Sequence, residues 1–175
     1  MAVVRSVITG FEQMKVRLSD LGRERSFDFQ PDDSARATMA KTLDFVALPE
    51  FSAVLDVSPY LDGAEVRGKW NGRVVQTCGI SLEDFDTPLK GDFMVRVLPA
   101  GSPNLPEEGS EVDVDPDADD PPDVLEGDAI DLGAYVIEHL GLELDPFPRK
   151  PGAVFEPPEE LVVISPFAGL RDLKS

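Results

Sequence analysis

The sequence is poor in the residues that most site chemistry needs. It has one cysteine, Cys78, and one histidine, His139. A single thiol excludes an intrachain disulfide framework and is ordinary for a cytosolic protein. One Cys and one His fall short of the roughly four ligands that zinc takes. No Gly-rich phosphate loop is present, since Gly63, Gly68 and Gly72 have the spacing of strand and turn glycines. Long apolar runs are missing too: Arg5 breaks Ala2-Val3-Val4, and Gly10 ends the run at Val7-Ile8. Neither is a signal-peptide core, and nothing approaches the ~20 apolar residues that cross a bilayer. These absences predict a soluble, cytoplasmic protein that uses no membrane, metal or cofactor and is not an enzyme.

Basic residues are missing from one long interval. Between Arg96 and Arg149 there is no Lys or Arg, while 15 Asp and Glu fall there. The formal charge of the 175-residue chain is -18, and without that interval the remainder is -3. The acidity therefore belongs to one segment of what is long enough for a single domain. Such a charge repels phosphate-rich partners and favours basic ones.

Periodicity organises the rest. Residues 1–13 form a lead. Met14, Val16 and Leu18 alternate with Lys15 and Arg17 as in a half-buried strand. Ser26 to Gln30, after a Gly-containing turn, is expected as its antiparallel hairpin mate. Pro31-Asp32-Asp33-Ser34 opens a helix with a thin apolar face that stops before Leu48-Pro49. Three strands follow. Phe51, Ala53, Leu55 and Val57 line one face of the first; Val66, Trp70 and Val74 oppose Arg67, Lys69 and Arg73 in the second. Gly72 is expected to mark a bulge there. Phe93, Val95 and Val97 form the inner row of the third, whose first half Pro88 and Gly91 interrupt. Short connections favour an antiparallel meander.

From Pro99 to Gly127 there are six prolines, many acids and almost no large apolar side chains, a composition that cannot offset the entropy of ordering. Residues 104–123 are expected to be mobile and dispensable for folding. Order returns at Ile130, where Asp131 caps a helix over 131–144 with its stripe at Leu132, Val136 and Leu140. Proline closes this part, residues 128–152. In the tail, 153–175, Leu161 to Ile164 is apolar and Phe167 to Leu173 can make a helical turn. The fold expected is α+β: one domain with a mainly antiparallel sheet over 14–98, two helices, and a long acidic disordered loop over 99–127.

Few residues suggest chemistry. Asp113, Asp115, Asp117, Asp119 and Asp120 invite a calcium-loop reading. An EF-hand needs glycine sixth and glutamate twelfth, where this run has Ala118 and Val124. His139 sits in the second helix with no motif placing a nucleophile beside it, and Cys78 has the setting of a buried structural thiol. Arg67, Lys69 and Arg73 make the strongest basic row, a solvated outer face or a contact surface, with Trp70 on the opposite side rather than interleaved for base stacking.

Val74-Val75-Gln76-Thr77-Cys78, Leu82-Glu83, an acidic insertion, Ile130-Asp131-Leu132-Gly133, and Leu144-Asp145-Pro146-Phe147-Pro148-Arg149-Lys150-Pro151-Gly152 follow in that order. Together they resemble the YceD family over roughly residues 14–173, with Cys78, Asp131, Leu132 and Pro148 as motif positions. Pro166 to Leu170 resembles the tail of alphaproteobacterial members. The resemblance implies a role in accumulation of large-subunit ribosomal RNA and supplies no catalytic residue. Many members carry a second cysteine three positions after the first, preceded by arginine; here Ile80 and Ser81 stand instead. The expected partner is a basic ribosomal protein or a large-subunit assembly intermediate. Direct contact with ribosomal RNA through Arg67, Lys69, Arg73, Arg149 and Lys150 is the alternative, and an enzyme of unrecognised type the third.

Overall fold

The computed structural model describes residues 4–106 and 120–155. In chain order they form β1 (Val4–Ile8), β2 (Lys15–Arg17), β3 (Arg25–Phe29), α1 (Asp33–Thr42), β4 (Ala47–Tyr60), β5 (Gly63–Thr77), β6 (Asp84–Pro99), β7 (Asp123–Leu125), β8 (Ala129–Asp131) and α2 (Leu132–Leu142). A six-stranded sheet has the order β1-β3-β4-β5-β6-β7, and β2 pairs with β8 in a second, small sheet.

The alternating apolar rows behave as expected. Phe51, Ala53, Leu55 and Val57 on β4 and Val66, Trp70 and Val74 on β5 are buried, and β4, β5 and β6 run antiparallel. Both helices have aspartate caps: the Ala35 N–H donates to Asp32 Oδ1 at 2.8 Å and the Ala134 N–H to Asp131 Oδ1 at 3.1 Å. Leu132, Val136 and Leu140 of α2 are fully buried and share one core with Met39 of α1 and Phe27, Phe29 and Phe51 of the sheet.

Four expectations give way. The sheet is mixed, because β1 lies parallel to β3 and β7 parallel to β6. Parallel neighbours need a connection of about a dozen residues or more, and the Pro-rich acidic segment serves as that crossover between β6 and β7. The expected hairpin of Met14–Leu18 with Ser26–Gln30 does not form: Lys15–Arg17 pairs antiparallel with Ala129–Asp131, and β3 pairs with β1 and β4. Alternation had indicated strands but carries no information on partners. Gly72 is not a bulge, since the register passes through Phe51, Gly72 and Leu89. The irregularity lies on β4 between Ala47 and Glu50, at Pro49, which has no N–H to offer a ladder. Pro88 and Gly91 do not interrupt β6, which continues from Asp84 to Pro99.

The described ends of the acidic segment are also packed rather than loose. Ser102 Oγ and Asn104 Nδ2 donate to Asp62 Oδ1 at 2.8 and 2.9 Å. These bonds, Asn104's first, hold the Asp62 carboxyl below its ordinary pKa. At the other end Tyr135 donates to Asp123 at 2.8 Å, tying β7 to α2; burial first, and then this bond, pushes the phenol pKa up. Strand β7 thus lies inside the span expected to be loop. Asp113, Asp115, Asp117 and Asp119 of the acidic run, and the tail readings at Leu161 to Ile164 and Phe167 to Leu173, lie outside the described residues.

Close approach of aromatic rings to glycine defines the core side of the central strands. A Cβ on Gly68 would lie 2.2 Å from the Phe93 ring, and one on Gly91 2.7 Å from Trp70. Phe93 cannot retreat easily, because His139 of α2 stacks on it with centroids 4.2 Å apart and planes at 4°. Gly68→Ala is therefore expected to destabilise the protein by roughly 1–3 kcal/mol, the usual cost of overpacking. Gly22→Ala, where a Cβ meets nothing within 4 Å, is the control. Denaturant titration of both variants checks this; equal midpoints would contradict it.

Candidate interaction surfaces

Among the described residues, the two helices pack on one face of the large sheet and neither covers the other face. On that outer face β5 places Arg67, Lys69 and Arg73, as the alternation requires, opposite the buried Val66, Trp70 and Val74. Carboxylates of the same face partner most of these cations. Arg67 reaches Glu65 Oε1 at 2.7 Å, and Arg96 reaches Oε2 of the same side chain at 3.2 Å. Arg73 pairs with Asp86 and lies 3.8 Å from Glu50; Arg5 pairs with Asp28 at 2.7 Å. Lys69 forms no ion pair with a described residue, although Asp92 stands opposite it in register.

The pairing of Asn71 with Lys90 brings a further exposed cation into this row, between Lys69 and Arg73. Sequence reasoning missed Lys90 because Pro88 and Gly91 suggested a broken strand. No signal in the sequence gives it, because the register of Trp70 against Gly91 that sets Lys90 beside Asn71 exists only in the folded ladder.

Arg149 and Lys150 lie elsewhere, beyond the end of β5 at Thr77. There the chain turns through Cys78 to Glu83, closed by Leu82 N–H to the Cys78 carbonyl and Cys78 N–H to the Glu83 carbonyl, both 2.9 Å. The segment Pro148–Lys150 is fastened onto this turn. Gly79 N–H donates to the Pro148 carbonyl at 2.9 Å, Lys150 N–H donates to Cys78 Sγ at 3.3 Å, and Lys150 Nζ pairs with Glu83 at 2.9 Å. Arg149 is exposed. The candidate cations therefore fall in two places: Arg67, Lys69 and Arg73 on one strand face, Arg149 and Lys150 at the strand's end.

Cys78 is fully buried, and its sulfur also accepts the N–H groups of Ile80 and Ser81, each at 3.4 Å. The Ser81 hydroxyl bond, then the Ser81, Lys150 and Ile80 amides, lower the thiol pKa to about 6 against the opposing effect of burial. A sulfur so surrounded is a hydrogen-bond acceptor that joins two distant chain segments. The other motif positions are structural as well: Asp131 caps α2, Leu132 is in the core, and Pro148 supplies the carbonyl described above. Among the described residues no three His, Cys, Asp or Glu side chains gather to hold a metal ion, and no helix is long and apolar enough to cross a membrane.

A model of the family described as large ribosomal RNA subunit accumulation protein YceD matches residues 66–174, more than half of the chain. The match begins within β5 and includes Cys78, Asp131, Leu132 and Pro148. It does not reach back to residues 14–65, to which the resemblance had extended. This is not a known enzyme family. No curated protein and no solved structure matches the chain.

The Cys78 cluster makes a pH-dependent contribution to stability. Its folded pKa lies below the ordinary thiol value, so between about pH 6 and pH 9 the unfolded chain binds more protons than the folded one. The stabilisation is then fully present above the unfolded pKa and lost as pH falls through about 6. Cys78→Ala is expected to lower Tm relative to the unsubstituted chain, by a margin that widens from pH 6 to pH 9. Thermal scans across that range check it, and a margin independent of pH would contradict it.

Proposed function

The chain belongs to the YceD family, and we propose that it supports accumulation of large-subunit (23S) ribosomal RNA by binding rather than by catalysis. Its partner in this reading is a basic ribosomal protein or a large-subunit assembly intermediate. The observation that carries the reading is the distribution of charge. The chain has a formal charge of -18, and the cations most suited to phosphate are occupied by carboxylates: Arg67 by Glu65, Arg73 by Asp86, Lys150 by Glu83. A phosphate approaching that face meets both the long-range repulsion and the need to displace a local anion. A basic protein meets neither.

A second reading has the outer sheet face touch ribosomal RNA directly through Arg67, Lys69 and Arg73, with Arg149 and Lys150 adding contacts beyond the end of β5. The observation in its favour is that Lys69 and Lys90 carry no ion pair with a described residue and stand on the same face.

Depletion of the protein is expected to lower large-subunit relative to small-subunit ribosomal RNA; an unchanged ratio would remove the ribosomal role. The partner is decided by binding across a salt series. The full chain should bind isolated assembly particles more tightly than naked ribosomal RNA, with RNA affinity no better than roughly micromolar at physiological salt. Tight RNA binding that Arg67→Ala, Lys69→Ala and Arg73→Ala together abolish would establish the second reading instead.

A further inference from the structure

An open groove of about 450 Å³ lies where the C-terminal ends of α1 and α2 meet the end of β5. Its apolar walls come from Leu43, Phe45, Val46, Leu144, Pro146 and Pro148. Val46 of this lining is 51% exposed, so a large apolar side chain of the groove stands in water. Its charged lining is acidic only: Asp44 and Asp145, with no Lys or Arg among the described lining residues. Two helix C-termini add their negative dipole ends at the same place.

Asp44 occupies a position where the backbone itself favours another residue. Phe45 N–H bonds to the Ala40 carbonyl at 3.1 Å and Asp44 has φ 55°, which makes it the left-handed residue after the helix cap, the place where glycine is most at ease. It makes no ion pair with a described residue. Asp145 is held in place, its carboxylate accepting Phe147 N–H at 2.8 Å and its carbonyl accepting Gln76 Nε2 at 3.1 Å.

We infer that this groove docks a segment of a partner protein that carries a lysine or arginine among apolar residues. The apolar walls take the neighbouring side chains, and the two carboxylates with the two helix ends take the cation. Phosphate is disfavoured by the same four features, so the groove selects protein over nucleic acid. The inference rests on the reading above, that the partner is a basic protein or assembly intermediate, and names the surface it uses.

The test uses the full chain and fluorescein-labelled synthetic peptides of mixed Lys and Leu, of mixed Glu and Leu, and of mixed Lys and Ser. Only the Lys–Leu peptide should bind well. Asp44→Gly and Asp145→Asn should each weaken it by roughly two- to fivefold, the loss expected for an exposed ion pair, and Val46→Ser should weaken it by removing an apolar wall. Asp44→Gly should at the same time raise Tm by roughly 2 °C, because it relieves the left-handed backbone. That combination separates lost binding from lost folding, and Asp44→Asn repeats the charge removal with little change of shape. Unweakened binding by the Asp44 variants would overturn the inference, as would equal binding of the Lys–Ser peptide, which would assign the affinity to the acidic segment alone. Association with assembly particles tells this apart from the broader reading. If the unsubstituted chain and Asp44→Gly associate equally, the groove fails and the reading stands; if neither associates, the reading itself fails.

Discussion

Three aromatic rings on the core face of the central sheet each lie against a glycine of the neighbouring strand: Phe93 on Gly68, Trp70 on Gly91, and Phe51 on Gly72. The absence of a Cβ beneath each ring lets it lie close to the backbone. The rings also meet one another, Phe51 stacking on Trp70 at 5.9 Å and Phe29 meeting Phe51 edge-on at 6.2 Å. Phe93 then offers its free face to His139, which fixes where α2 sits. The placement of α2 in turn sets β8 and Tyr135, and through them β2 and β7. Much of the architecture around the central strands follows from the space those glycines leave.

Burying large rings on one face leaves the other to charged side chains. On the outer face carboxylates pair with Arg5, Arg67, Arg73 and Arg96, while Lys69 and Lys90 form no ion pair with a described residue. Net negative charge is concentrated instead in the crossover between β6 and β7, whose described ends are pinned by Asp62 and Tyr135. The groove at the helix C-termini adds a local site of the same sign. In the proposed reading a basic partner is met at short range through Asp44 and Asp145 and at longer range through the acidic segment.

Much of this was legible in the sequence. Period two in β4 and β5 identified the buried rows, period near four identified the α2 stripe, Asp131 marked the cap of α2, and Pro31 to Ser34 marked the start of α1. Local patterns failed where the answer depended on distant residues. Nothing in Met14 to Leu18 reveals that Ala129–Asp131 will pair with it, and nothing near Gly72 reveals that Phe51 will lie across it. The basic row of Arg67, Lys69 and Arg73 was visible, as was Glu65 two residues before Arg67 on the same face, but Asp86 and Glu50 became neighbours of Arg73 only through the fold. Lys90 and the groove were invisible for the same reason: each is assembled from segments remote in sequence.

The claim that the protein meets a basic protein through carboxylates, and not RNA through the sheet, is tested most directly by zero-length carboxylate–amine cross-linking of the full chain to large-subunit assembly particles. Peptide mapping of the products should join Asp44 or Asp145 to lysines of a ribosomal protein. Their absence, with ultraviolet cross-links to RNA concentrated on the β5–β6 face around Lys69 and Lys90, would contradict the account.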